Sequence, residues 1–536
     1  MKKSIMSLVC IVLLTSMLAA CGSKNENTPP ATNTGNNSSS SNPSEAPAAP
    51  TKFSIARGTL ALKAVESVTD INKDKWVLEL EKRTNTDMDI QLLPHKDFKQ
   101  KVSLMFAGGE LPDVLVAYQS MTPASKDMRG AVDAGIFMPL DDLLKSHGQN
   151  LLKVIPQAAW DEVTYNGKIY SIPQYLTVQS RRATFVRSDL LEKANVTAPK
   201  TIDELLPVLR ELKKIGVEQP FAFRENFKYA DFILGAYDVL PYSTMYEKQG
   251  DEIVPKFFNS ENMMKALEIY KTMYDEGLMA KDFATITGAM WTKSREAGNV
   301  GFYNANANTW GSYETTLNNS VPDAKLEMIP SPVGPDGRGG QMLYQTTLEQ
   351  AYLNAKLDQA KAEAIVKYFD YMVTEESAEF FNYGIEGEDY TKADGKINYE
   401  VPTEEAARDS EIRRDWLRVI KDGGFNSEKL PLENRGPEML TAFETLLPNE
   451  GRGGISFDPE LDSYTQFPDL APKFDEPSKF ILDYMVKMIY GKEPISDWPK
   501  VIEEWRKSGG NEIIKEATAR YNNKQGIYIG PDAKVE

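Results

Sequence analysis

Between Tyr303 and Trp310 the chain reads Tyr303-Asn304-Ala305-Asn306-Ala307-Asn308-Thr309-Trp310, two aromatic rings interleaved with three carboxamides. A ring is an apolar platform and a carboxamide a planar donor–acceptor pair. Together they suit a ligand with flat apolar faces and a rim of hydroxyls, such as a sugar. The same residues equally compose a core tryptophan beside a polar turn. Tyr118 and Gln119 repeat the ring-plus-amide chemistry directly after the apolar run Val114-Leu115-Val116-Ala117, either facing a ligand or lying in a surface loop. Arg57 and Arg224 carry planar guanidinium forks that grip a carboxylate bidentately or sit in ordinary surface ion pairs. Trp160, Trp416, Trp498 and Trp505 read as packing residues.

Other chemistries are poorly supplied. His95 and His147 are the only histidines, which argues against a histidine-based triad or a histidine-rich metal centre. The expectation is no metal and no cofactor. With 78 acidic against 61 basic residues the formal charge is -17, unfavourable for a nucleic-acid partner or direct adhesion to anionic lipid. A glycosidase or lyase needs little beyond two carboxylates about 5–10 Å apart, so composition leaves that class open, but no compact catalytic motif is present.

The thiol of Cys21 stands in a different context. Met1-Lys2-Lys3 is a short basic start, Ile5 to Ala20 is almost wholly apolar or small, and Leu18-Ala19-Ala20 leads into Cys21. That order describes an export signal, too short to span a bilayer, which takes about 20 apolar residues. Leu-Ala-Ala-Cys resembles the lipobox of bacterial lipoproteins, implying cleavage after residue 20, lipidation (palmitate) at Cys21 and an anchor on the outer face of the cytoplasmic membrane. Cys10 lies in the segment removed, so no internal disulfide is expected. Residues 22–50 are mostly Ser, Asn, Pro, Ala and Thr and read as a disordered tether. Its flexible-coil reach is roughly 30 Å.

The elements that must position the rings and forks follow from periodicity. Phe53 and Ile55 alternate as a strand, Asn72 to Arg83 is helical, and Met88, Ile90 and Leu92 alternate again. A helix over Phe98–Phe106 stops at Gly108-Gly109, before the buried strand 114–117. This β-α-β-α-β order predicts an α/β fold with a largely parallel sheet, whose ligands sit beyond the carboxyl ends of strands. Asn166-Gly167 between short β-formers predicts a hairpin. Thr201-Ile202-Asp203-Glu204 fits a capping box before an amphipathic helix that contains Pro207. Val300 to Tyr303 reads as a short strand running into the polar turn, and Lys325 to Ile329 as another. Helices are expected near 263–274, 360–373, 479–490 and 501–521, the last interrupted at Gly509-Gly510.

Several segments, in order, resemble the extracellular solute-binding proteins of carbohydrate ABC importers, family 1, in the branch of Gram-positive lipoproteins related to alginate-binding proteins. They are Gly109-Glu110-Leu111-Pro112-Asp113-Val114, Phe137-Met138-Pro139-Leu140-Asp141-Asp142-Leu143, Asn166-Gly167-Lys168-Ile169-Tyr170-Ser171-Ile172-Pro173, Val186-Arg187-Ser188-Asp189-Leu190-Leu191 and Phe381-Asn382-Tyr383-Gly384-Ile385-Glu386-Gly387. The resemblance implies a two-lobed, periplasmic-binding-protein-like α/β fold with a ligand cleft at a hinge of several crossings. It places one lobe at 51–178 plus 302–345 and the other at 179–301 plus 346–536. It implies a non-enzymatic monomer that captures a soluble oligosaccharide and delivers it to ABC permease subunits, or a receptor for a peptide or other solute on the same fold. Tyr175, Gln179, Tyr344 and Gln345 fall at the implied crossings, as ligand contacts or as hinge packing. Some relatives carry a calcium loop after the capped helix. Here that stretch, 213–220, lacks the ligand spacing, so no calcium is expected there.

Overall fold

The computed structural model describes residues 49–118, 120–423, 429–530 and 533–535. Cys21, the export signal, tether residues 22–48 and Gln119 lie outside the described residues. In chain order the strands begin with β1 (Thr51–Gly58), β2 (Thr86–Leu93), β3 (Val114–Tyr118), β4 (Thr164–Tyr165), β5 (Lys168–Ile169) and β6 (Ser171–Tyr175). They continue with β7 (Arg182–Arg187), β8 (Gln219–Ala222), β9 (Tyr246–Gln249), β10 (Glu252–Pro255), β11 (Val300–Asn306), β12 (Leu326–Ile329) and β13 (Thr347–Leu353). An exposed hairpin, β14 (Thr391–Ala393) and β15 (Lys396–Asn398), precedes β16 (Ile455–Phe457) and β17 (Ile527–Ile529).

The first lobe is a sheet of order β2-β1-β3-β13-β6. β1 is parallel to β2 and β3, as the β-α-β-α-β reading requires, while β13 runs antiparallel between β3 and β6. Alternate side chains fill two cores. Phe53, Ile55, Val114, Val116, Ala351 and Leu353 meet helices on one face. Ala56, Leu115, Ala117 and Tyr352 meet Phe98 and Val102 on the other. The helix carrying Phe98 ends at Gly108, with Gly109 at φ 70 in the left-handed cap that glycine favours. Asn166 and Gly167, at φ 49 and 76, make the β4–β5 hairpin.

The second lobe holds a sheet β12-β7-β11-β8 and a smaller sheet β10-β9-β16-β17. Val186 and Phe302 face the larger core, whereas Ala183, Phe185, Tyr303 and Ala305 face a second core closed by Trp310, Met439 and Phe443.

Three expectations are corrected here. The lobe partition changes: strand 300–306 pairs with 182–187 and 219–222, while 347–353 pairs with 114–118 and 171–175. Residues 302–345 therefore belong with the second lobe. The stretch from 346 to about 420 belongs with the first, where Ile365, Phe369, Trp416 and Ile420 join its core. Second, β11 continues to Asn306, so Asn304 is a central-strand residue and not part of a turn; pairing to β7 satisfies its backbone. Third, Thr201 begins the helix Ile202–Lys214 without a side-chain cap, and Glu204 accepts instead from the Lys200 amide at 2.7 Å. Among the described residues no helix is long and apolar enough to cross a membrane.

Candidate functional site: the cleft between the lobes

Three crossings join the lobes, and backbone hydrogen bonds zip them together. The Leu176 amide donates to the Thr346 carbonyl at 2.8 Å, and the Tyr344 amide to the Gln179 carbonyl at 3.0 Å. The third crossing follows Lys421, whose carbonyl accepts from the Tyr175 amide at 3.2 Å; the Gly423 amide returns to the Tyr175 carbonyl at 2.8 Å. Short crossings locked side by side let two rigid lobes rotate about one line, the geometry of a hinge.

Next to the hinge lies a cavity of about 190 Å³ with walls from both lobes. Lys99, Thr122 and Ser125 come from the first lobe, Thr244, Asp458 and Phe474 from the second, and Gln345 from the crossing between them. Two contacts bridge the lobes here. Thr122 Oγ1 lies 2.9 and 2.7 Å from the two Asp458 carboxylate oxygens, to which it donates, and Lys126 Nζ donates to Thr465 Oγ1 at 3.1 Å. Burial pushes the Asp458 carboxyl above its usual range, against the opposing pull of the Thr122 hydroxyl; burial likewise raises Glu460. Ser125 Oγ and Thr244 Oγ1 are buried with no hydrogen-bond partner. An unmade hydrogen bond at such an atom costs about 1–3 kcal/mol, so a ligand rich in hydroxyls that reached them would recover it. A smaller space adjoins, lined by Gln179, Tyr344, Gln345 and Tyr528. The Tyr344 ring meets Phe474 edge-on with centroids 5.0 Å apart.

Tyr344 and Gln345 thus stand at the cleft. Tyr118 is half-buried at the end of β3, its hydroxyl 2.9 Å from His95 Nδ1 and its ring stacked on Phe98 at 4.1 Å. Burial pushes its phenol up to about 12. It also covers Gly58, where a Cβ would lie 2.2 Å from the hydroxyl oxygen. Tyr175 is buried in the hinge, and burial raises its phenol to about 12. Asn306 ends β11 half-buried, opposite Arg182.

The other candidates are engaged with neighbours in the chain, all but the half-buried Arg224 inside the protein. Arg57 is 2 % exposed and gives its fork to Glu349 and to the Trp416 carbonyl, with its guanidinium 5.0 Å from the Trp416 ring centre. Arg224 pairs with the adjacent Glu225 at 2.6 Å. Trp310 is 3 % exposed; its indole N–H donates to the Leu326 carbonyl at 2.8 Å and Arg435 covers its ring at 5.3 Å. Tyr303 stacks on Phe185, and the fully buried Asn304 donates to Thr184 Oγ1 at 3.0 Å. Arg57, Trp310, Tyr303 and Asn304 thus serve packing, and Arg224 an ordinary ion pair.

Residues 67–379, more than half of the chain, match the family model for bacterial extracellular solute-binding proteins. The chain belongs to that family. It is 28% identical over 458 residues to the polygalacturonan/rhamnogalacturonan-binding protein YtcQ of Bacillus subtilis (strain 168), covering 83% of this chain and 87% of that one. It is 23% identical over 487 residues to lipoprotein LipO of the same strain, covering 87% and 91%. Among solved structures, the alginate-binding protein AlgQ2 without calcium ion superposes with a TM-score of 0.62 at 18% identity, over 88% of this chain and 98% of that one. That likeness carries the two-lobed fold.

For a solute-binding protein the cleft residues missed from sequence are Thr122, Ser125, Thr244, Asp458 and Phe474. The strand-end rule pointed at Tyr118 and Gln119; following the loop a few residues further reaches Thr122 and Ser125. Asp458 is 336 residues from its partner Thr122, and no local signal marks it.

Proposed function

We propose that this solute-binding protein is the lipid-anchored receptor of a carbohydrate ABC importer, closing its lobes on a soluble oligosaccharide outside the cell and presenting the closed form to permease subunits. The carrying observation is the cleft itself. Unpartnered buried hydroxyls (Ser125, Thr244), a carboxamide (Gln345) and rings (Tyr344, Phe474) converge there from both lobes. A ligand in that position touches both lobes only when they meet, so it favours the closed state. Gln345 and Tyr344 are the contacts we assign first; Tyr118 and Asn306 lie at strand ends from which a longer ligand is reached. The names of YtcQ and AlgQ2 support a polysaccharide-derived ligand. The Leu18–Cys21 pattern, the tether composition and the lipoprotein LipO support the anchor. In this reading the protein acts as a monomer, without metal and without turning its ligand over.

The test is calorimetry of the purified protein against oligosaccharide and peptide panels, with product analysis. Stoichiometric sugar binding without products is expected. Turnover would make it an enzyme, and binding confined to peptides would replace the ligand class.

A further inference from the structure

Arg57 and Arg224, the two arginines whose guanidinium forks suit a carboxylate grip, are neutralised by Glu349 and Glu225. A third arginine is not. Arg181 lies on the first crossing, immediately before β7, half-buried, with its Nε buried and unpartnered. Among the described residues no carboxylate pairs with it. Its guanidinium stands 5.7 Å from the ring centre of Tyr344, the residue that lines the cleft beside Gln345. Its carbonyl accepts from the Ala307 amide at 2.9 Å, which fixes the backbone against the end of β11 next to Asn306.

The surrounding charges make this isolation sharper. Arg182 pairs with Asp231 at 2.7 Å and Asp475 at 2.6 Å. Lys228 pairs with Asp475 and Glu476, and Lys473 with Glu476. Three carboxylates therefore meet three cations and the cluster closes on itself, so Arg181 adds an uncompensated positive charge. In a chain with 78 acidic residues, a partly desolvated guanidinium left without one is a site awaiting an anion. A cavity of 190 Å³ is smaller than the roughly 300–1,000 Å³ of pockets that enclose a whole small ligand. An oligosaccharide filling it must extend beyond it, and Tyr344, which lines the adjoining space, is the ring beside which Arg181 stands.

We propose that Arg181 is a specificity-determining residue that receives a carboxylate of the bound oligosaccharide, so that the preferred ligand carries uronic-acid units. This rests on the cleft being the sugar site. The guanidinium fork matches a carboxylate in plane, and its cation–π contact with Tyr344 at 5.7 Å favours its staying beside the cleft.

The experiment titrates full-length mature protein, Arg181→Gln and Arg181→Lys with uronic-acid trisaccharides (galacturonate and mannuronate) and with their carboxyl-reduced neutral counterparts, at low and high salt. The wild type is expected to bind an acidic trisaccharide at least tenfold more tightly than its reduced counterpart, with salt narrowing the gap. Arg181→Gln should lose that preference while keeping affinity for the neutral sugar, and Arg181→Lys should retain part of it. Equal affinity for acidic and reduced sugars in the wild type overturns the proposal, as does an unchanged preference in Arg181→Gln. Loss of both affinities together in Arg181→Gln and Arg181→Lys, with an unchanged melting temperature, would show Arg181 to be a general contact and not a charge reader. Failure of the wild type to bind any of these sugars would overturn this inference, while the wider oligosaccharide panel decides the receptor reading separately.

Discussion

Thr122→Val removes one hydrogen bond and almost no volume, at a place where the lobes touch. Thr122 Oγ1 is the hydroxyl donor to both oxygens of Asp458, at 2.9 and 2.7 Å, and Asp458 belongs to the other lobe. A hydrogen bond to an ionised group contributes about 1.5–3 kcal/mol, and the valine leaves a buried carboxyl facing a methyl. Opening the cleft separates the two residues, so the loss falls on the closed state alone. Ligand binding is coupled to closure only through the difference between the states, and affinity should weaken by the whole of that difference, roughly ten- to hundredfold. Isothermal titration with a binding oligosaccharide measures it. Unchanged affinity in a folded Thr122→Val protein would refute the reasoning: it would mean that the bond across the cleft does not distinguish closed from open.

Trp310→Ala should cost about 3–5 kcal/mol of stability, as for a buried tryptophan, and leave ligand affinity unchanged; a thermal melt and one titration on the same variant separate a core ring from a contact ring. Burial holds the Asp458 carboxyl above its usual value, so the folded chain binds that proton more tightly than the unfolded chain does. Its ionisation therefore costs stability as pH rises from the ordinary carboxylate value of about 4 through the raised one. Asp458→Asn should flatten the fall in melting temperature over that window, and an identical pH profile in the variant would remove Asp458 as its source. Cys21→Ala should release the protein from membranes or leave it unprocessed; unchanged lipid labelling and membrane fractionation would contradict the anchor. Chelator should alter neither melting temperature nor affinity, and a drop restored by calcium would reveal an unassigned metal site.

What the sequence determined by itself is local. Period-2 and period-3.6 patterns located β1 to β3 and their helices, because each strand or helix must turn one face to a core whatever lies opposite. Gly109 and Asn166-Gly167 carry the backbone conformations that end a helix and close a hairpin, so they were legible in place. The order of strands and helices settled the α/β class. Only the tertiary structure decided which side chains face the cleft. Trp310 and Tyr303 look like ligand platforms until Met439 and Phe443, more than a hundred residues later, cover that side of the second sheet. Arg57 looks like a free fork until β13 brings Glu349 to it from 292 residues away. The lobe partition failed for the same reason: nothing local to 347–353 records which neighbours complete its backbone hydrogen bonds. Thr122 with Asp458, and Arg181 without any acid, are facts about distant chain segments meeting or failing to meet. Pairing across the fold is a long-range choice made by packing and charge together, and no window of sequence contains both partners.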